Sequence, residues 1–240
     1  MKYCYVLGRR NIYTKMHTST KYKSAANNVT SLGSVVPKQL VEDTTKALSK
    51  LKVALGGDVS GYVACRLHMN MTELNDALAA EQVDGVALAM YNIEKRAQSV
   101  IIGDQTGIGK GRQAAAMIRY GLLSGYLPVF FTDRYTLFSD MYRDCKALGI
   151  KDARPLVVNA GASVVDFDHI IEEKGKEVPD EIWSPMSEEE EEDAKFEAEL
   201  MQLYQKQYEV VFKASKKTAL QGLFEVGDIP SEVFDCLLIT

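Results

Sequence analysis

Apolar residues recur at helical spacing through the first part of the chain and then gather into short unbroken runs. Leu40, Val41, Thr44, Leu48, Leu51 and Leu55 share one face of a 3.6-residue period and Gly56-Gly57 follow, which predicts a helix ending at the glycines. Asp58 to Leu67 reads as a second, shorter helix. Thr72 is placed to cap a third, with Glu73 in its first turn where the helix dipole favours an acid, and Leu74, Leu78, Val86, Met90 and Ile93 give it an apolar side as far as Glu94. Gln98 to Gly103 is too short and too apolar for an amphipathic helix and predicts a central strand. Ala114, Met117, Ile118, Gly121 and Leu122 define a helix ending near Gly125. Leu127 to Thr132 reads as a strand whose Pro128 lies near its start, where it is tolerated. A helix over 136–148 ends at Gly149, and Arg154 to Asn159 is a further strand.

Apolar strands alternating with helices call for parallel pairing with crossover helices, hence an α/β fold around a parallel sheet. Residues 1–36 are polar without clear periodicity, and 160–186 look irregular. Ser187 and Glu190 have capping-box spacing and open a helix whose apolar stripe is Phe196, Leu200, Leu203, Tyr204 and Val211. Phe234 to Thr240 reads as another strand, and a strand needs neighbours, so the expectation is that this sequence is part of a longer protein. The organisation expected is a basic arm and helical leader over 1–70, a nucleotide-binding core over 71–165, an acidic helical insertion over 166–233, and a further core strand over 234–240.

Composition narrows this little: 46% apolar and 25% charged residues are ordinary for a globular chain, and no apolar stretch approaches the length of a membrane-spanning helix. The four cysteines, Cys4, Cys65, Cys145 and Cys236, are scattered without metal-ligand spacing, so a reducing compartment is the default. Charge is more informative. The net value of −5 hides a first stretch, 1–40, with seven cations (Lys2, Arg9, Arg10, Lys15, Lys21, Lys23, Lys38) and no acid. Residues 166–200 carry fifteen acids against three lysines. The arm suits a phosphate backbone or simple solvation; the acidic run suits a solvated insertion.

The chemistry concentrates between the predicted strand and the helix after it, in Gly103-Asp-Gln-Thr-Gly107-Ile-Gly109-Lys110-Gly111-Arg112. Glycines let backbone N–H groups close around phosphates, a helix N-terminus adds partial positive charge, and a lysine neutralises the outer phosphates. Two positions depart from the usual loop: 104 is Asp where it has Gly, and 111 is Gly where it has the Ser or Thr that holds Mg²⁺. Gln82, about twenty residues upstream, has an amide able to donate to and accept from an adenine edge at once. Thr132-Asp133-Arg134 closes a strand, at the end where open α/β sheets place ligands.

Asp166-Phe167-Asp168-His169 has the look of an acidic metal motif, yet it follows the loop too closely and its preceding apolar run is short; Asp180-Glu181 has no strand before it. His17 and His68 make no triad or metal set with the cysteines. No metal ligand set and no catalytic residue is identified.

The loop resembles that of the strawberry notch family and of related helicase-like domains in large phage proteins of the antirestriction type, whose loops likewise tend to read Gly-Lys-Gly-Arg. The resemblance covers roughly residues 22–160 and 234–240, with Ser31 to Pro37 similar to the leader of the phage proteins. It implies the N-terminal part of a helicase superfamily 2 ATPase: a RecA-like P-loop parallel sheet (a partial first helicase lobe) with a helical leader and an acidic helical insertion. It implies nucleotide contacts at Gln82, Gly107, Gly109, Lys110, Gly111 and Arg112, and nucleic-acid contacts at Thr132 and Arg134. ATP is the implied ligand, with Mg²⁺ held weakly or by groups outside this chain. DNA and a second helicase lobe are the implied partners, with no membrane, in a bacterial host cytoplasm or a phage virion. Hydrolysis by this chain alone is then expected to be poor. Two other readings stand beside it: a non-enzymatic structural or DNA-associated virion protein with a decayed ATPase lobe, and a small complete P-loop NTPase using Asp166 or Asp168 for metal.

Overall fold

The computed structural model describes residues 19–104, 107–152, 154–158, 162–171, 190–214 and 236–239. The chain divides into two compact units, Met1–Ile108 and Gly109–Thr240, each treated by itself below. Most of the basic arm, the loop residues Gln105 and Thr106, the Ser187 cap, Asp180, Glu181, Phe234 and Thr240 lie outside the described residues.

The first unit is helical. A short antiparallel ladder of β1 (Ser19–Lys21) and β2 (Val35–Pro37) leads through a 3-10 turn into α1 (Val41–Ala54), α2 (Val59–Arg66), α3 (Met71–Ala77) and α4 (Ala80–Arg96). Of the predicted apolar faces Leu48, Leu51, Leu74, Leu78, Val86 and Met90 are buried, whereas Leu40 and Ile93 at their outer ends are exposed. Arg66 and Glu94 tie α2 to α4 through two parallel bonds, Nε to Oε1 at 2.6 Å and Nη2 to Oε2 at 3.0 Å. The helix expected from Thr72 to Glu94 is instead two. Asn70 caps α3 in a capping box with Glu73, and the chain turns extended at Leu78 and Ala79 before α4 begins. Gln82 accepts from the Ala79 N–H at 2.9 Å, which starts the second helix at Ala80, after a two-residue break that the periodicity runs across.

A stretch without periodicity is pinned to α4 by two carboxylates. Glu81 accepts from the hydroxyls of Ser31 (2.7 Å) and Ser34 (3.1 Å) and from the Leu32 N–H (3.0 Å). Asp84 accepts from the Tyr22 hydroxyl (2.9 Å) and from the N–H groups of Ala25 and Ala26. These bonds give residues 22–34 the backbone partners that a sheet or helix would otherwise supply. Burial pushes the Asp84 carboxyl up despite its donors. Burial also opposes the charged form of Glu81, but the bonds from Leu32, Ser31 and Ser34 outweigh it and hold the carboxyl below the usual range.

The second unit holds α5 (Lys110–Leu123), β3 (Val129–Phe131), α6 (Leu137–Ala147), β4 (Pro155–Val158), β5 (Ser163–Ile170), α7 (Glu190–Gln207), β6 (Tyr208–Lys213) and β7 (Cys236–Ile239). β7 lies between β3 and β4 and is parallel to both, with Val129 opposite Leu237 and Leu237 opposite Leu156. Its core is Phe138, Val157, Ala162, Val164 and Leu238, with Phe130, Tyr142 and Phe212 against it.

Two expectations fail here and one fails before the loop. Residues 160–186 are not uniformly irregular: β5 pairs antiparallel with β6, with register shifts on either side of Val165–Asp166. The stripe read as running on to Val211 belongs to a helix only as far as Gln207, beyond which 208–213 is strand. Gln98 to Gly103 is not a strand: no regular structure is assigned there, and Ile101 is 97% exposed. An apolar run becomes a strand only when a neighbour takes its N–H and C=O groups, and no described strand pairs with this one.

Replacing Glu81 with Ala is expected to destabilise the protein by about 1–3 kcal/mol, because several donors lose one acceptor. Since the folded-state value lies below the ordinary 4.5, the contribution is complete above that pH and is lost as pH falls through the folded value. Hydrogen-exchange protection over residues 31–34, measured against the intrinsic rate at each pH, should therefore fall with acidification in the wild type, and be low and flat in that window in Glu81→Ala.

Candidate functional site

The loop's two halves belong to the two units. On the first, the Gln82 amide donates from Nε2 to the Ile108 carbonyl at 2.8 Å while its Oε1 accepts from Ala79. Gln82 is 8% exposed, and this pair of bonds fixes the loop at the residue before Gly109. The sequence placed Gln82 as an adenine reader; here its amide is engaged with backbone on both sides.

Gly107 (φ +91°), the last glycine of the first unit, and Gly109 (φ +83°), the first residue of the second, adopt left-handed backbone that an L side chain would strain. Gly109 is the N-cap of α5 and Lys110, an exposed residue, is its first. The helix starts with its Gln113 N–H bonded to the Gly109 carbonyl at 3.3 Å. Helix geometry aims the N–H groups of the first turn out of that end, along with the positive end of the dipole. The predicted contacts Gly109, Lys110, Gly111 and Arg112 are thus brought together at one helix start, with Gly107 two residues ahead of it.

Sequence reading missed the residue that shapes this turn. Asp144 on α6, 7% exposed, places its Oδ2 where a Cβ on Gly111 would have to sit. Its other oxygen lies 3.5 Å from Arg112 Nε and 3.4 Å from Arg143 Nη2, and Arg143 in turn reaches Asp140 at 2.8 Å. Asp144 is 33 positions from Gly111, and nothing local in sequence couples them. Mg²⁺ at such a loop is ordinarily held by a hydroxyl on the residue after the lysine. Position 111 supplies no oxygen, and the nearby carboxylate stands between two guanidiniums that repel a dication. The residues at this position do not fit the ion.

Thr132 and Arg134 sit in the turn after β3, where the Arg134 N–H bonds to the Thr132 hydroxyl at 3.3 Å. Helix α7 from the acidic insertion lies over the following residues. Its Glu197 accepts from the Thr136 hydroxyl at 3.2 Å; burial pushes this carboxyl up, against the opposing pull of Thr136 and of the nearby Arg134 charge. The acidic motif candidate lies elsewhere: Asp166 and Asp168 both meet Lys146 Nζ at 2.5 Å, and Asp166 also faces His169 Nδ1 at 3.1 Å. Burial opposes the charged form of Asp166, but Lys146 and its other donors hold it below the usual carboxylate range. These acids answer a lysine on α6 and hold an antiparallel ladder in place. Among the described residues no group of three or more His, Cys, Asp or Glu is arranged to hold a metal.

Substituting Gln82 with Ala is expected to cost about 1–2 kcal/mol, since both the Ala79 N–H and the Ile108 carbonyl lose a buried partner. Faster amide exchange at 79–83 and around Ile108 would register both losses.

The model of the P-loop containing NTP hydrolase pore-1 family matches residues 36–210. No curated protein and no solved structure matches the chain. The matched span takes in the leader's end, the glycine loop and most of the second unit, and the chain belongs to that family.

Proposed function

We propose, starting from that membership, that this chain binds ATP at Gly107–Arg112 and forms the N-terminal part of a superfamily 2 helicase-like, DNA-dependent ATPase. The observation that carries the reading is the pair of left-handed glycines delivering Lys110 to the first position of an amphipathic helix. In this reading Lys110 meets the β- and γ-phosphates, and the N–H groups of Gly107, Gly109, Lys110 and Gly111 cradle them. Arg112 adds a second cation, and Gln82 turns its amide to adenine once nucleotide arrives. The parallel strands β3, β7 and β4 support a partial RecA-like lobe, in which Thr132 and Arg134 contact a DNA backbone at the end of β3. The Gly-Lys-Gly-Arg loop supports the strawberry notch and phage antirestriction affinity, and with it a place in a bacterial host cell or virion.

Hydrolysis requires a held metal, an oriented water and a cation on the transferring phosphoryl group. None of these is assigned to a residue of this chain, so a second lobe, in cis or in trans, would complete it. The absence of a metal-holding hydroxyl at position 111 favours one further reading, a DNA-associated virion component that holds nucleotide without turning it over.

Lys110→Ala should weaken ATP binding by about tenfold or more, as loss of a charged phosphate contact implies; unchanged calorimetric affinity would refute the nucleotide site. Robust Mg²⁺-dependent turnover by the chain alone would refute the view that it is incomplete. Duplex-DNA affinity should fall in Arg134→Ala, with the slope of log affinity against log salt reduced by about one.

A further inference from the structure

The residue after Lys110 is a glycine inside a helix, in a backbone conformation any residue can adopt, and glycine is the poorest non-proline helix former. What a side chain here would meet is Asp144: its Oδ2 occupies the space a Cβ would fill, so the carboxylate would have to turn away, and its Oδ1 faces Arg112 Nε at 3.5 Å. The carboxylate is buried, and a second guanidinium, Arg143, lies 3.4 Å from the same oxygen. A guanidinium anchored through Nε has its orientation set, and its fork of Nη groups matches phosphate oxygens.

We propose that Asp144 is a positioning residue of the nucleotide site. By filling the space over Gly111 it holds Arg112 at the first turn of α5, so that Arg112 meets the outer phosphates where other loops use a hydroxyl and its metal ion. The glycine and the arginine of Gly-Lys-Gly-Arg are then two halves of one device, with its third part on α6. This rests on the reading of Gly107–Arg112 as a triphosphate site. It makes two demands. Triphosphate affinity in the absence of divalent cation depends on Asp144 and Arg112 together, and Gly111 tolerates a methyl group only when Asp144 is gone.

The test is calorimetric binding of ATP and of adenosine to the full chain, in EDTA and in Mg²⁺. Asp144→Asn and Arg112→Gln should each weaken ATP by about tenfold in EDTA, the scale of one charge-assisted contact, and change adenosine by less than about twofold. The double variant should bind ATP no worse than Arg112→Gln, since the two residues act as one unit. Gly111→Ala should match Arg112→Gln on the wild-type background and have no further effect on Asp144→Gly. Full ATP affinity in Asp144→Asn or in Gly111→Ala would overturn the proposal. So would equal loss of ATP and adenosine, which marks a merely structural role, and so would a loss confined to Mg²⁺, which marks Asp144 as a metal ligand. If Asp144→Asn does not fold, the Gly111→Ala and Arg112→Gln arms decide the question. Lys110→Ala separates the two levels: wild-type affinity in that variant removes the site itself, whereas its loss beside an unaffected Asp144→Asn removes only the positioning role.

Discussion

A carboxylate taken out of water must be met by donors, and in this protein that requirement does much of the tying that its short sheets cannot. The described ladders are three to eight residues long, and the parallel sheet has three strands. Yet the irregular leader, the phosphate-loop helix, the acidic insertion and the β5–β6 ladder are each fastened through a buried acid. Glu81 and Asp84 hold the leader, Asp144 holds Arg112, Glu197 holds the start of α6, and Asp166 takes Lys146. Each acid stands on a regular element and reaches to a partner distant in sequence. The net negative charge is thus in part structural: several of its acids are inside, satisfied, and joining segments.

How much of this was legible beforehand follows from the range of each interaction. The helices over 41–54, 110–123 and 137–147 follow from local periodicity and glycine stops, and they appear where those signals put them. The apolar runs at 127–132, 154–159 and 234–240 include three strands that pair parallel. The same reasoning misjudged 98–103, because a strand is a property of a pair and the run alone carries no information about its neighbour. It misjudged 160–186 for a related reason: β5 finds β6 some forty residues on, through a register that shifts around Val165 and Asp166. The division at Leu78–Ala79 was local and readable, since Asn70 with Glu73 and Gln82 three residues after Ala79 are both capping spacings. It was masked by an apolar face that runs on unbroken across the division.

The candidate site divides the same way. Gly107, Gly109 and Lys110 are a local motif, and their backbone conformations are those the motif requires. Gln82 was readable as a residue type at a distance from the loop. Its bond to the Ile108 carbonyl was not, and it gives Gln82 a task in the loop without nucleotide. Asp144 carried no signal at all, because a carboxylate on an amphipathic helix reads as solvated until the fold brings another helix against it.

That last point bears on how the departure at position 111 is to be understood. Loss of a metal-holding hydroxyl looks like decay when the loop is compared with a consensus. Beside Asp144 the glycine leaves room for a buried carboxylate: a serine there would require that carboxylate to turn away from its place beside two guanidiniums. Position 111 offers room in place of a hydroxyl, and the Asp144 carboxylate occupies it beside Arg112. In the proposed site, Lys110 and the helix end supply positive charge at the helix start, while Arg112 is held there by the carboxylate it pairs with.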